Sequence, residues 1–419
     1  MEKILLKNID NPGSCDIREF LNTGGYKNLS KALDMKPKDI IDEIRSSGLR
    51  GRGGAGFPTG MKWSFASADP KFPKYLICNA DEGEPGTFKD RPILEKNPLL
   101  LIEGMVISGY ALGAEYGYIY LRGEYPYAKE VLERAISQAC EKNYLGDNIL
   151  GKNVTFRLTV YQGAGAYICG EETALIESLE GKPGQPRSKP PFPVNVGAWS
   201  MPTIVNNVET LSNVPYIIEI GASAYSMIGS KECPGPKLFC VSGCVEKPGV
   251  YELPMGTNLR DIIFNHAGGI KNGRKLKAVF PGGISTPVLP ADKIDCPMDF
   301  VSIQKFETML GSGAVIVMDE SVCMVKVAYR ALKFFEHESC GKCTPCREGT
   351  DWLRKILERI ENGKGKEGDI ELLTEVAGII QGRTFCPLGD SAAGLVKSML
   401  KYFRNEFEEH IKGKSKCQK

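Results

Sequence analysis

The chain has 419 residues, a net charge of +2, and ordinary charged and apolar fractions of 25% and 42%. That length suits about three domains at roughly 150 residues each, and so balanced a charge gives no electrostatic case for nucleic acid or an acidic membrane surface. The opening Met1–Leu6 is interrupted by Lys7 and Asp10 too soon for a secretory signal, so the 14 cysteines are not expected to form a disulfide framework.

In chain order, Lys38 to Ser47 reads as an amphipathic helix and leads into Gly51-Arg52-Gly53-Gly54-Ala55-Gly56. Strand and helix then alternate. Tyr75–Cys78 is a short apolar run ending in Asn79, residues 98–112 read as a helix, and Tyr116–Leu121 as a strand. The stretch from Tyr127 to Gln138 has helical spacing, Val154 to Val160 alternates with period two, and residues 171–180 supply the next helix. Such repeats predict a parallel sheet with helices packed on it, with ligands bound beyond the carboxyl ends of the strands.

A proline-rich segment from Lys182 to Pro202 reads as a linker; with Lys189 and Phe192 within it, an ordered loop across a ligand site fits equally well. Short strands follow at Lys237–Val245, Val250–Leu253, Leu276–Phe280 and Ala314–Met318, with one helix at Leu259–His266. From residue 321, amphipathic stretches at 321–338, 349–361, 369–381 and 391–411 predict a four-helix bundle. The apolar stretch from Leu99 to Leu121 is broken by Glu103, Glu115 and glycines, so no direct membrane insertion is expected. The expected division is 1–236, an α/β domain; 237–320, a small α+β module; and 321–419, a helical bundle.

Most cysteines stand singly, as at Cys15, Cys78 and Cys140, where a small buried apolar residue is the expected role. Cys340, Cys343 and Cys346 instead form a C-x2-C-x2-C run, and Cys386 follows after 39 intervening residues, just before Pro387. Three thiolates from one turn and a distant fourth suit a [4Fe–4S] cubane. Four thiolates also suit zinc, which more often takes two separated C-x2-C pairs. With only His266, His337 and His410, the chain offers little for a histidine-based zinc site or an acyl-transfer triad.

The run Gly51–Gly56 matches G-x-G-x-x-G, but it follows a helix rather than a strand, so the dinucleotide fingerprint lacks its context. Glycines that let backbone N–H groups approach a phosphate, with Arg52 or Lys62 adding charge, are a better reading; a plain flexible loop is the other. Phe57, Trp63 and Phe65 beside it are core or stacking surfaces. The second glycine loop, Gly163–Gly170, follows a predicted strand and opens a helix at Glu171-Glu172. Those carboxylates are helix caps, or acceptors for ribose and ribityl hydroxyls. The loop from Asn79 to Gly86 carries Asp81, Glu82 and Glu84, as a surface turn or a site.

Taken together, Gly51–Phe65, Asn79–Gly86, Gly163–Gly181, Asn206–Thr210, Glu338–Gly349 and Cys386–Asp390 resemble the NADH-binding flavoprotein component of bacterial NADH:quinone oxidoreductase, respiratory complex I. The resemblance implies a Rossmann-like FMN/NADH domain, a ubiquitin-like β-grasp module and a bundle carrying a [4Fe–4S] cluster on Cys340, Cys343, Cys346 and Cys386. It implies FMN contacts at Gly51, Arg52, Gly53, Lys62, Asn79, Asp81, Tyr167, Gly170, Glu171, Asn206 and Asn207. Phe57, Phe65, Glu84, Glu172, Lys189 and Phe192 would meet NADH. The implied reaction passes hydride from NADH to FMN without a general acid or nucleophile, then single electrons to the cluster. Implied partners are a thioredoxin-like [2Fe–2S] subunit of type E and a large iron–sulfur subunit of type G, on the cytoplasmic side of the membrane. The alternatives are a diaphorase subunit of an NAD-linked hydrogenase or formate dehydrogenase, and a zinc-stabilised nucleotide-binding scaffold.

Overall fold

A computed structural model describes residues 2–67, 69 and 71–414. The chain divides into two compact units. The first comprises Met1–Gly83, Phe88–Phe239 and Val250–Gly256; the second comprises Glu84–Thr87, Cys240–Gly249 and Thr257–Lys419.

In the first unit, four strands form a sheet: β1 (Tyr75–Ala80), β2 (Tyr116–Leu121), β3 (Arg157–Gln162) and β4 (Thr203–Asn207). Their order is β3-β2-β1-β4 and each neighbouring pair is parallel. The central strand is apolar almost throughout, with Leu76, Ile77, Cys78 and Ala80 fully buried, as a strand covered on both faces must be. The helix Pro98–Leu112 between β1 and β2 buries nearly every residue, which explains an apolar run with no polar stripe. Its Gly104 is required by packing, because a Cβ there would stand 2.1 Å from the Leu211 carbonyl oxygen.

The expected helices at 38–47, 98–112, 127–138 and 171–180 form, as Pro37–Ser46, Pro98–Leu112, Pro126–Glu141 and Glu172–Leu179. The third strand is displaced. Residues from Val154 were expected in it, but Phe156 makes an antiparallel bridge to Gly146, and the parallel strand starts at Arg157. Period-two alternation continues through both pairings, so it does not mark where one partner gives way to another. Of the single cysteines, Cys78 is buried as expected, whereas Cys15 is only partly buried and Cys140 is exposed.

In the second unit, Ala314–Asp319 pairs in parallel with residues 240–243 of the strand Pro236–Gly243, and antiparallel with Leu276–Phe280. Leu289–Pro290 extends the sheet beyond Leu276–Phe280. The expected helix Leu259–His266 is one α-turn, Leu259–Asp261, continued as a π-turn through His266. Four bundle helices follow: Met324–Glu338, Thr344–Glu361, Asp369–Ile380 and Pro387–Ile411. Met324, Val325, Ala328, Ala331, Leu332 and Phe335 bury one stripe of the first, the i, i+3/i+4 pattern of a core-facing helix. Among the described residues no helix is long and apolar enough to cross a membrane.

Candidate functional site

Parallel pairing brings the strands' carboxyl ends to one edge, and the predicted loops leave from it. Across that edge Asn79 of β1 is in register with Asn207 of β4, and Cys78 with Asn206. The Asn79 amide donates to the Gly170 carbonyl at 2.9 Å and its Oδ1 accepts from Asp81 N–H at 3.1 Å, tying the acidic loop to the second glycine loop. Tyr167 packs against Gly83, where a Cβ would lie 3.0 Å from its ring.

The first glycine loop is closed by an antiparallel bridge between Arg50 and Pro58 and by Gly51 N–H donating to the Phe57 carbonyl at 2.9 Å. It rises from the helix Pro37–Ser46 and enters the helix Thr59–Ser67, so it is not a strand–turn–helix fingerprint. Gly53 abuts Asn207, with space for a Cβ only 3.1 Å from the Asn207 Cβ. Arg52 does not add charge to this loop as expected. Its side chain is fully buried, and its guanidinium donates to the carbonyls of Pro234 (2.7 Å), Pro236 (3.2 Å) and Arg50 (3.1 Å). Only its backbone faces the strand end, donating to Thr210 Oγ1 at 2.8 Å.

Lys62 does reach the edge. Its ammonium donates to Glu172 Oε2 at 2.8 Å and to the Val205 carbonyl at 2.9 Å. Lys189, from the proline-rich segment, donates to Glu172 Oε1 at 2.9 Å and Glu171 Oε1 at 3.0 Å. That segment is therefore an ordered strap, further held by Arg187 on Glu177 and on the Gly197 carbonyl. The two acids divide their work. Glu171 caps the helix Glu172–Leu179, accepting from Thr173 and Ala174 N–H at 2.9 and 3.0 Å. Glu172 makes no cap; burial alone would raise its carboxyl, but Lys62 and Lys189 outweigh that and hold it down at about 2. Phe57, Phe65 and Phe192 stand about half exposed, at 48%, 52% and 53%, whereas Trp63 is core and donates from its indole to Asn206 Oδ1 at 2.9 Å. Glu84 lies in the second unit, where it accepts from Ser285 N–H (2.8 Å) and Oγ–H (2.6 Å).

Beneath the edge is a buried charge cluster that sequence reading misses. Lys89 Nζ lies 2.8 Å from Asp90 Oδ1 and 3.0 Å from Glu209 Oε2, and it donates to Asn207 Oδ1 at 3.2 Å. Glu209 also accepts from Lys237 Nζ at 2.9 Å and Leu238 N–H at 2.8 Å, and Asn207 donates to Asp90 Oδ2 at 2.7 Å. Asn207 is thus pinned from below, as Asn206 is by Trp63. Buried charge without internal pairing is prohibitively costly, and no local motif announces partners so far apart in sequence.

In the second unit, Cys343 caps the N-terminus of the helix Thr344–Glu361, Cys346 lies in its first turn, and Cys386 caps the helix Pro387–Ile411. A Cβ on Gly389 would lie 3.3 Å from the Cys346 Cβ, bringing the two helix starts together. Burial, with the thiols of Cys346, Cys340 and Cys343 close by, pushes the Cys386 thiol up to about 11. Cys343 and Cys386 stand at helix N-termini, where the dipole favours thiolate charge, and the Cys343 sulfur accepts from Phe385 N–H at 3.4 Å. Cys340, Cys343, Cys346 and Cys386 offer the thiol donors that an iron–sulfur centre takes.

Three family descriptions match the chain: Nuo51 FMN-binding domain over residues 44–216, SLBB domain over 237–317, and NADH-ubiquinone oxidoreductase-F iron-sulfur binding region over 326–410. The chain is 55% identical over 98% of its length to one of the NADH-quinone oxidoreductase F subunits (F 2) of Rhizobium meliloti (strain 1021), covering 98% of that protein. It is 51% identical to the NADH-quinone oxidoreductase F subunit of Aquifex aeolicus (strain VF5), covering 98% of this chain and 94% of that one. Among solved structures, an NAD+-reducing [NiFe]-hydrogenase in the H2-reduced state superposes with a TM-score of 0.84 at 40% identity. That match covers 94% of this chain and 66% of the hydrogenase chain.

Proposed function

The chain belongs to the family of NADH-quinone oxidoreductase F subunits, and we propose that the loops at the carboxyl edge of its parallel sheet are where NADH is oxidised. It is an NADH dehydrogenase component that uses FMN and a [4Fe–4S] cluster. Bound FMN supplies the conversion of hydride into single electrons, and the bound cluster supplies a one-electron path towards quinone.

The chain's own groups bind and orient. The backbones of Gly51, Arg52 and Gly53, with Lys62, Asn79, Asp81, Tyr167, Gly170, Glu171, Asn206 and Asn207, would hold FMN. Phe57, Phe65 and Phe192 offer half-exposed rings for the adenine of NADH. Glu172 and Lys189 supply polar contacts to the same substrate. One observation carries this reading: the Lys62–Glu172–Lys189 network joins the first glycine loop's helix, the second glycine loop's helix and the strap. Hydride transfer needs positioning more than proton movement, and this linkage fixes three walls at once. Cys340, Cys343, Cys346 and Cys386 would ligate the cluster.

The proposed functional division is 1–236 for FMN and NADH, 237–320 for the intervening module and 321–419 for the cluster; the three matched segments fall one in each. The chain is a subunit of a larger assembly. Its proposed neighbours are a thioredoxin-like [2Fe–2S] subunit of type E and a large iron–sulfur subunit of type G, holding it on the cytoplasmic side of the membrane. A diaphorase role beside a hydrogenase is the second reading, supported by the structural likeness; the proteins that co-purify with the native chain separate the two. Cofactor analysis tests the main reading. Anaerobic purification should give about one FMN and four irons per chain, with no FAD. Zinc in place of iron would overturn it.

A further inference from the structure

Three histidines leave little for a histidine-rich metal site, but one histidine suffices where cysteine and glutamate join it. Cys323, Glu361 and His410 are separated by tens of residues and come together where three bundle helices end. Cys323 caps the N-terminus of Met324–Glu338, Glu361 is the last residue of Thr344–Glu361, and His410 lies in the last turn of Pro387–Ile411. Their donor atoms, one from each side chain, all lie within 4.8 Å of one another. Cys323 Sγ is 3.3 Å from His410 Nε2. Zinc bonds of about 2.0–2.3 Å place tetrahedral donors roughly 3.2–3.8 Å apart, so this pair already stands at a metal-ligand separation.

A Cys–His–Glu proton relay would be the other use of these groups, and the carboxylate argues against it. Glu361 Oε2 is 3.9 Å from His410 Nδ1, beyond hydrogen-bond reach. That oxygen is buried without a hydrogen-bond partner. A buried carboxylate oxygen in that condition is stabilised by a nearby positive charge, which a bound metal would supply more strongly than the imidazole 3.9 Å away. The backbone agrees, because two long helices present their carboxyl ends here, where the dipole favours positive charge. The opposing helix start is blunted by Glu406, whose Oε2 accepts from Met324 N–H at 3.0 Å and whose Oε1 pairs with Lys277 at 2.7 Å.

We propose that Cys323, Glu361 and His410 form a zinc site, separate from the four cluster cysteines, that ties together the ends of three bundle helices. One sulfur, one imidazole and one carboxylate, the donors found among the described residues, suit zinc rather than magnesium or calcium.

The test uses the anaerobic chain loaded with FMN and its cluster. It is equilibrated with micromolar zinc sulfate, passed through a weak chelator, and analysed for zinc, iron and FMN per chain. The wild type should keep one zinc, and Cys323→Ser and His410→Gln close to none, with iron and FMN equal in all three. Glu361→Gln keeps the shape of the side chain and guards against misfolding in the other two; it should bind zinc at least tenfold more weakly. Absence of zinc in the wild type, equal retention by any of the three variants, or zinc gained only at the expense of iron would each overturn the assignment.

Discussion

The ammonium of Lys62 lies 2.8 Å from the carboxylate of Glu172, joining a helix that follows one glycine loop to a helix that follows another. Lys189 closes the other side of the same carboxylate at 2.9 Å. Glu172 is therefore held ionised between two cations at the mouth of the candidate site.

Glu172→Gln should weaken NADH binding and leave FMN in place. Losing a charge-assisted hydrogen bond costs on the order of 1.5–3 kcal/mol, so KM for NADH should rise roughly tenfold or more. Steady-state kinetics with flavin content measured alongside checks this; an unchanged KM would remove Glu172 from the NADH site. The same carboxyl carries a pH signature. Its folded value of about 2 lies below its ordinary 4.5, so its contribution to stability is present above pH 4.5 and fades as pH falls towards 2.

Glu209→Gln should be among the most damaging single changes in the first unit. Lys89 and Lys237 are both within 3.0 Å of its carboxylate, and all three side chains are at most 1% exposed. Removing that charge strands two buried ammonium groups, of which Lys89 keeps Asp90. A loss of about 3–5 kcal/mol is expected from urea unfolding, with flavin affinity falling because Asn207 rests on the same cluster. A loss below about 1 kcal/mol would show the cluster to be incidental.

Glu103 gives a pH dependence of the opposite sign. It is buried in the helix Pro98–Leu112 and accepts from Leu29 N–H at 3.0 Å. Burial raises its carboxyl from 4.5 to about 7, against the pull of backbone donors at Leu29, Tyr26 and Asn28. The folded chain holds this proton more tightly than the unfolded one, so stability falls as pH rises from about 4.5 to 7 and stays lower above. Glu103→Gln should flatten that part of the profile, gaining on the wild type between pH 5 and pH 8. Unfolding curves at the two pH values check it, and parallel profiles would contradict the assignment.

The architecture was readable where one physical pattern determined it. Tyr116–Leu121 was legible as a strand because a six-residue apolar and aromatic run fits a sheet buried on both faces. The bundle was legible because its apolar stripes repeat at helical spacing between glycine and cysteine breaks. The start of β3 was not, since Phe156 alternates in step with Leu158 while pairing with a different segment. At the site, the glycine loops and four cysteines announced themselves through spacing. The direction of the Arg52 guanidinium did not, because composition cannot say whether a long side chain points outward or into carbonyls 182 and 184 residues away. The two functions of Glu171 and Glu172 were equally hidden: adjacent acids look alike until the helix start is located between them.

NADH oxidation and cluster reduction should be separable, because the loops proposed for FMN at Gly51–Gly56 and Gly163–Gly170 and the cysteines proposed for the cluster belong to different compact units. Cys343→Ser tests it most directly, since a neutral hydroxyl is a poor substitute for a thiolate ligand. Stopped-flow mixing with NADH, read at the flavin absorbance, is combined with electron paramagnetic resonance of the cluster and the rate of electron delivery to an attached [2Fe–2S] partner. The variant should keep FMN and be bleached by NADH at near the wild-type rate, while its cluster signal and electron delivery collapse. Normal FMN binding with electron delivery at the wild-type rate would contradict it.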